Sequence, residues 1–169
     1  MTTDSYIGPD ASMGEGTVAV GAIVEGQVGA RCKLWWGAHV WAGGVLGDDC
    51  MMGAGSMVAR ATVGNRVRIQ NHATIPHGAI IEDEVYIGAG VRLCNSVHPS
   101  AISDDELVPI VLRRGCSIGS NACIIGRVEI GEGAVVGAGA VVRHSVPAGG
   151  RALGVPAVIY GADGVQVSP

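Results

Sequence analysis

Phenylalanine is absent from the 169 residues, and only three tyrosines and three tryptophans occur. A core without Phe must be filled by small and β-branched side chains, whereas a sheet sandwich normally relies on larger aromatic ones. Charge is scarce too. Asp, Glu, Lys and Arg make up 15% of the chain against 48% hydrophobic residues, a balance that excludes a disordered protein. The net charge of −4 argues against nucleic acid as a main partner, which would call for a basic face. A few local arginines could still hold an anionic ligand. No apolar run of about 20 residues is available to span a bilayer, so no membrane role is expected. The start, MTTDSY, lacks the basic-then-apolar pattern of an export signal. The five cysteines are odd in number, widely spaced and without a CxxC pair, so a reduced, cytoplasmic setting is expected.

What the chain does have is 28 glycines and a period of six. Stepping by six from Val28 gives Leu34, Val40, Leu46, Met52 and Val58. After a one-residue deletion the series resumes as Val63, Ile69, Ile75, Ile81, Ile87 and Leu93. A third series runs Leu112, Ile118, Ile124, Ile130, Val136 and Val142. Four residues after each comes a small or apolar residue, including Cys32, Ala38, Gly44, Cys50, Ser56, Thr62, Val97, Cys116 and Val146. Two inward positions in six cannot match a helix period of 3.6. They fit a short strand and a corner, repeated three times per eighteen-residue coil. Gly commonly follows the aliphatic residue, as at Gly29, Gly88 and Gly119, where it is expected to ease the corner dihedrals. Successive coils then stack as parallel strands ~4.8 Å apart. The predicted fold is an all-β parallel β-helix over residues 1–157 with one extended loop at 94–111, followed by a C-terminal tail at 158–169. Ile7-Gly8 and Met13-Gly14 fit the register, while residues 19–27 slip by three and have no firm place.

The register assigns Cys32, Cys50 and Cys116 to the small inward slot as core filler. Cys94 and Cys123 fall at corners or strand ends, and no neighbour in sequence activates either as a nucleophile. Between Leu93 and Leu112 the hexads stop, and a long irregular excursion of this kind is usually functional. It carries Asn95, His98 and an acidic stretch, Asp104, Asp105 and Glu106, which reads as a solvated face. Positions one coil apart should stack, so Arg60, His77 and Asn95 form a polar column on one edge, capped by His98. Asn71 and His72 lie around the preceding corner. His39 and His144 read as ordinary solvent-facing corner residues.

The hexads, the NSVHP excursion and the closing IGEGAVVGAGAVVRHSVPAGGRALGVPA (130–157) together resemble the hexapeptide-repeat acyltransferases. Within that family, RIQNHATIPHGAII, LCNSVHP and RRGCSIGSNACI are most similar to the N-acetyltransferases of nucleotide-linked 3-amino sugars. The galactoside and maltose acetyltransferases are the next nearest relatives. The resemblance implies a left-handed coil, against the usual crossover hand. It also implies a homotrimer with sites in clefts between subunits, and acetyl-CoA as acyl donor. Carried over by position, Ser120 and Ala138 match coenzyme contacts and Arg143 a phosphate contact. Val155 and Pro156 of GVPA match positions near the adenine. Relatives often place Arg or Lys after GVPA, where Val158-Ile159-Tyr160 stand here. His98 matches the general base of the galactoside and maltose enzymes, and an imidazole with a pKa near 6.5 can take a proton at neutral pH. Resemblance to the amino-sugar enzymes implies instead that the acceptor amine meets the loop Asn, here Asn95, in its neutral form with no essential base. Asn71, His72, His77 and Arg60 are the expected acceptor contacts.

Two other chemistries stay open. One is O-acetylation of a simple sugar or antibiotic. The other is a γ-class carbonic anhydrase, suggested by His72-x4-His77-Gly78. A catalytic zinc needs a third protein ligand, and the places where an adjacent coil should supply it hold Ala54 and Gly55. No catalytic metal is therefore expected.

Overall fold

Three flat faces, each a ladder of two- or three-residue strands, close into a triangular coil that repeats along one axis. The computed structural model describes residues 1–96 and 109–168. Among these residues face one holds eleven strands, face two eight and face three seven. Consecutive strands step from face to face, and every strand pairs in parallel with the one a coil away. Among the described residues the chain reverses only at the end of face one. There Arg151–Leu153 pairs antiparallel with Val158–Tyr160, which pairs antiparallel with Gln166–Ser168.

All eighteen aliphatic positions picked out by the six-residue period are buried. They stack on one another coil by coil, for example Met52 on Ile69 on Ile87 on Ile118. Cys32, Cys50 and Cys116 are buried in the same core. Burial pushes the Cys116 thiol up to about 12, as desolvation of a thiolate requires. Two small-slot assignments are corrected. Thr62 is exposed, and Ala61 takes its place inside, because only five residues separate Val58 from Val63. Val146 bridges Ile130 and so fills the large slot. Val97 lies outside the described residues.

The slip near the N-terminus is now placed. Ala19 pairs with Leu34, Val24 with Val40 and Val28 with Leu46. The steps from Ala19 to Val24 and from Val24 to Val28 are one and two residues short of six, and together they give the shift of three. From Leu34 onward every change of length falls between faces two and three. That step is five residues at Val58–Val63, four at Val142–Val146 and nineteen at Leu93–Leu112. The three edges of the prism thus differ, and are called here the glycine edge (one to two), the loop edge (two to three) and the charged edge (three to one).

The glycines that follow the aliphatic residues are corrected in role. None of Gly29, Gly47, Gly53, Gly64, Gly88, Gly119, Gly131 or Gly137 has a left-handed φ. They are small because the next coil runs directly over them. A Cβ on Gly88 would stand 2.6 Å from the backbone nitrogen of Ser120. Left-handed dihedrals occur elsewhere in the corner, at Gly55, His72, Gly90, Asn121 and Gly139 on the glycine edge, and at Arg31, Asp49, Arg66 and Glu84 on the charged edge.

The charged edge is bound by a ladder of side chains. Asp48, Asn65 and Asp83 each accept the backbone N–H of a residue one coil earlier, at 2.8–2.9 Å. Outside that row run ion pairs of alternating sign, Arg31–Asp49 at 2.7 Å and Arg66–Glu84 at 2.9 Å, continued by Arg113 between Glu82 and Glu129. Hydrogen bonds from Arg31 to Asp49, and from Arg113 to Glu82 and Glu129, hold these carboxylates below their ordinary range. A carboxylate with a depressed folded pKa adds stability above its unfolded pKa and loses it as pH falls through the folded one. Melting temperature should therefore stay level from pH 7 to about 5 and fall below about 4, where unperturbed carboxylates titrate. Arg113→Gln should flatten that acid limb in a thermal-melt series; an unchanged limb would remove the ladder from the account. The pairs are exposed, so each contributes little by itself.

Candidate active site

The loop edge collects the residues of the predicted polar column. Each stands two residues after an inward aliphatic: Arg60 after Val58, His77 after Ile75 and Asn95 after Leu93. The Gly78 N–H donates to the Arg60 carbonyl at 2.9 Å. The Asn95 side-chain Nδ2 donates to the His77 carbonyl at 2.7 Å. Asn95 and His77 are half-buried and Arg60 is exposed. Trp41, one coil before, joins Ala59, Arg60 and His77 around a small recess. His98 lies outside the described residues, as do Asp104, Asp105 and Glu106. Because the Nδ2 of Asn95 is engaged on His77, its Oδ1 is left as an acceptor at the root of the excursion, the polarity a neutral amine N–H requires.

Trp41 was not among the candidate site residues, and its signal was positional, since it follows Val40 at the same edge as Arg60, one coil before it and three before Asn95. Beside it His39, one of the supposed idle corner residues, pairs with Glu25 at 2.8 Å and packs its ring 5.6 Å from Trp41.

Asn71 and His72 stand on the glycine edge, a full strand away from the polar column. Both have turn-building work there. The Asn71 Oδ1 accepts from the Ala54 N–H at 3.0 Å, and the His72 carbonyl accepts from the Arg92 guanidinium at 2.7 Å. Ser120 and Ala138 lie on this same edge, linked through the Gly139 N–H on the Ser120 carbonyl at 2.8 Å. Arg143 does not join them. It follows Val142 at the loop edge, across the strand Val141–Val142.

A contrast between edges bears on ligand binding. On the charged edge the outward N–H groups of Ala30, Asp48 and Asn65 are taken by side-chain oxygens of the next coil. On the glycine edge Asn71 does the same for Ala54, but the N–H groups of Ser120 and Ala138 have no acceptor among the described residues. Two outward donors one coil apart, on a lane of small residues, suit an extended chain that carries amide carbonyls. Val155 and Pro156 sit in the exposed turn at the end of face two. Its flanks are fastened to the last strand by Val141 N–H on the Gly154 carbonyl and Ala157 N–H on the Val141 carbonyl, at 3.0 and 2.9 Å. Within the described residues, no three His, Cys, Asp or Glu side chains gather as a metal set.

Family models place the repeats. The model described as bacterial transferase hexapeptide (six repeats) matches residues 60–95 and 109–144, and the hexapeptide repeat of succinyl-transferase matches 44–75. The chain belongs to the hexapeptide-repeat acyltransferase family. Among its relatives in this family, the bifunctional protein GlmU of Bifidobacterium longum is 29% identical over 152 residues, covering 85% of this chain and 31% of the relative. GlmU of Pseudarthrobacter chlorophenolicus is 30% identical over 160 residues, covering 91% and 31%. The chain thus spans under a third of the length of these relatives. Among solved acyltransferase structures, the polySia specific acetyltransferase NeuO superposes with a TM-score of 0.67 at 17% identity, covering 100% of this chain and 87% of NeuO. A hexapeptide-repeat acetyltransferase of Vibrio cholerae, solved with acetyl coenzyme A, gives 0.50 at 20% identity, covering 94% and 68%. At these identities the superpositions speak for the fold alone.

Proposed function

We propose that the protein transfers an acetyl group from acetyl-CoA to the amine of a nucleotide-linked amino sugar. The observation that carries this reading is the Asn95–His77 hydrogen bond, which presents an amide oxygen at the mouth of the excursion, one coil on from the recess lined by Trp41, Arg60 and His77. The acceptor amine donates to Asn95 Oδ1, and Arg60 offers a cation to the anionic part of the acceptor. His98 takes the proton lost as nitrogen attacks the thioester carbon. Acetyl-CoA supplies the electrophile; the C–S bond breaks as the tetrahedral adduct collapses, and the departing thiolate takes the proton from His98 to leave as the coenzyme thiol. The pantetheine amides meet the Ser120 and Ala138 N–H donors, with Val155 and Pro156 toward the adenine and Arg143 toward a phosphate. No metal takes part. The family models and the GlmU relatives support this class of chemistry, and the acetyl-CoA-bound relative supports the fold that would carry it.

The test is thiol release from acetyl-CoA across a panel of nucleotide amino sugars and simple sugars. Turnover confined to hydroxyl acceptors would replace the N-acetyl reading with O-acetylation. Ala138→Leu puts a branched side chain over a free N–H in a shallow lane, so it should raise the KM for acetyl-CoA at least ~10-fold, the loss of about one hydrogen bond. Acceptor KM should stay within twofold; a shift in acceptor KM instead would move the coenzyme off this edge.

Assembly belongs to the same proposal. Trp35, Trp36 and Trp41 are all exposed, on the two edges that flank the strand His39–Val40, and exposed aromatic surface of this extent points to burial against a partner. The protein is taken as a homotrimer, closed by rotation. Light scattering should give three times the 17.1 kDa chain mass, and a monomer at micromolar concentration would remove the intersubunit cleft.

A further inference from the structure

Cys94 closes the strand Arg92–Cys94 and Cys123 opens the strand Cys123–Ile125. The strands pair with Arg92 opposite Cys123 and Cys94 opposite Ile125. Leu93 and Ile124 point inward, so by strand alternation both cysteines point out on face two. Their sulfurs stand 3.8 Å apart and both residues are half-buried, while the other three cysteines are sealed in the core.

Two closures of such a pair are conceivable, and geometry separates them. The cysteines are diagonal neighbours. A strand spacing of ~4.8 Å and two residue rises of ~3.3 Å put their Cα atoms roughly 8 Å apart. A disulfide spans no more than about 7 Å without moving backbone. An ion with metal–sulfur bonds of about 2.3 Å needs sulfurs about 4.6 Å apart when the S–metal–S angle is straight, which a small side-chain rotation from 3.8 Å supplies. A tetrahedral ion such as zinc wants four ligands, and no third His, Cys, Asp or Glu joins the pair among the described residues. Thiolates select soft ions.

We infer that Cys94 and Cys123 form a two-coordinate site for a soft univalent cation, of the Cu(I) or Ag(I) class. Binding releases one proton from each thiol and leaves a bis-thiolate of single negative charge, with the Arg92 guanidinium on the neighbouring register position to offset it. Arg92 also favours the Cys123 thiolate, against burial that pushes this thiol up to about 11. The bound ion would fasten two coils together one residue before Asn95, at the root of the excursion.

The probe is Ag(I), titrated as the nitrate into the intact protein in chloride-free buffer. Ultraviolet charge-transfer absorption and native mass spectrometry read the binding. One ion per chain should bind with high affinity, and Cys94→Ser and Cys123→Ser should each weaken it by ~10²-fold or more, since the second thiolate acts intramolecularly. The double variant, with its fold checked by circular dichroism, sets the background from the core thiols. Either single variant keeping wild-type affinity, or two ions binding independently, overturns the site. Ready formation of a Cys94–Cys123 disulfide with diamide, seen by peptide mapping, overturns the geometric choice between the closures.

Discussion

Gly88→Ala should lower the melting temperature by roughly 2–12 °C, and Gly133→Ala by less, roughly 2–8 °C. The two glycines look alike in sequence but do different work. Gly88 has an ordinary φ, and its missing Cβ is the room that the next coil occupies. The atoms in the way are Ser120 N at 2.6 Å, with Gly119 C and Ile118 O at 2.9 Å. All three are backbone, so no side chain can swing aside and the coils must part. Overpacking of this kind costs about 1–3 kcal/mol, occasionally more. Gly133 has φ +64° and nothing within 4 Å of an added Cβ, so alanine there meets only the left-handed penalty of about 1–2 kcal/mol. At about 2–4 °C per kcal/mol for a chain of this size, the difference is measurable by calorimetry at one protein concentration. If Gly133→Ala proves the more damaging, close stacking is not what these glycines are for.

His98→Ala should reduce turnover by ~10²-fold or more, the scale of a lost general base, while acetyl-CoA binding measured by calorimetry stays near wild type. The expectation rests on the sequence position of His98 in NSVHP and on the neighbouring Asn95, which is oriented by its bond to the His77 carbonyl. Deprotonation of the attacking group should make wild-type turnover rise through the imidazole range near pH 6.5, and the variant should lose that rise. Near-full turnover across pH 6 to 9 would remove His98 from the chemistry. Asn95→Ala would then become the damaging change, with its effect on acceptor KM.

Most of the fold can be read from the period of six, because each aliphatic position is tested by its neighbour eighteen residues on and an error of one would turn the core outward. Reading failed where a coil is shorter than eighteen. Thr62 for Ala61, and Val146 in the wrong slot, both follow from assuming a constant step at the loop edge. The stacking of Arg60, His77 and Asn95 was legible by the same arithmetic. The separation of Arg143 from Ser120 and Ala138 was overlooked, since nearness in sequence hid a whole strand between corners. The ladder on the charged edge also went unread. Its signal is an Asp or Asn straight after a glycine or its equivalent, as in Gly47-Asp48 and Gly64-Asn65, where the side chain fills the space that the glycine of the previous coil leaves open.

That length varies on a single edge from Leu34 onward has a consequence for how such a coil can be retooled. The steps across the other two edges keep constant phase, so lengthening or shortening the excursion between Leu93 and Leu112 leaves the core stack and the donor lane at Ser120 and Ala138 in register. If the proposed sites hold, acceptor preference and acyl-donor handling are separate modules, and exchanging one should leave the other standing.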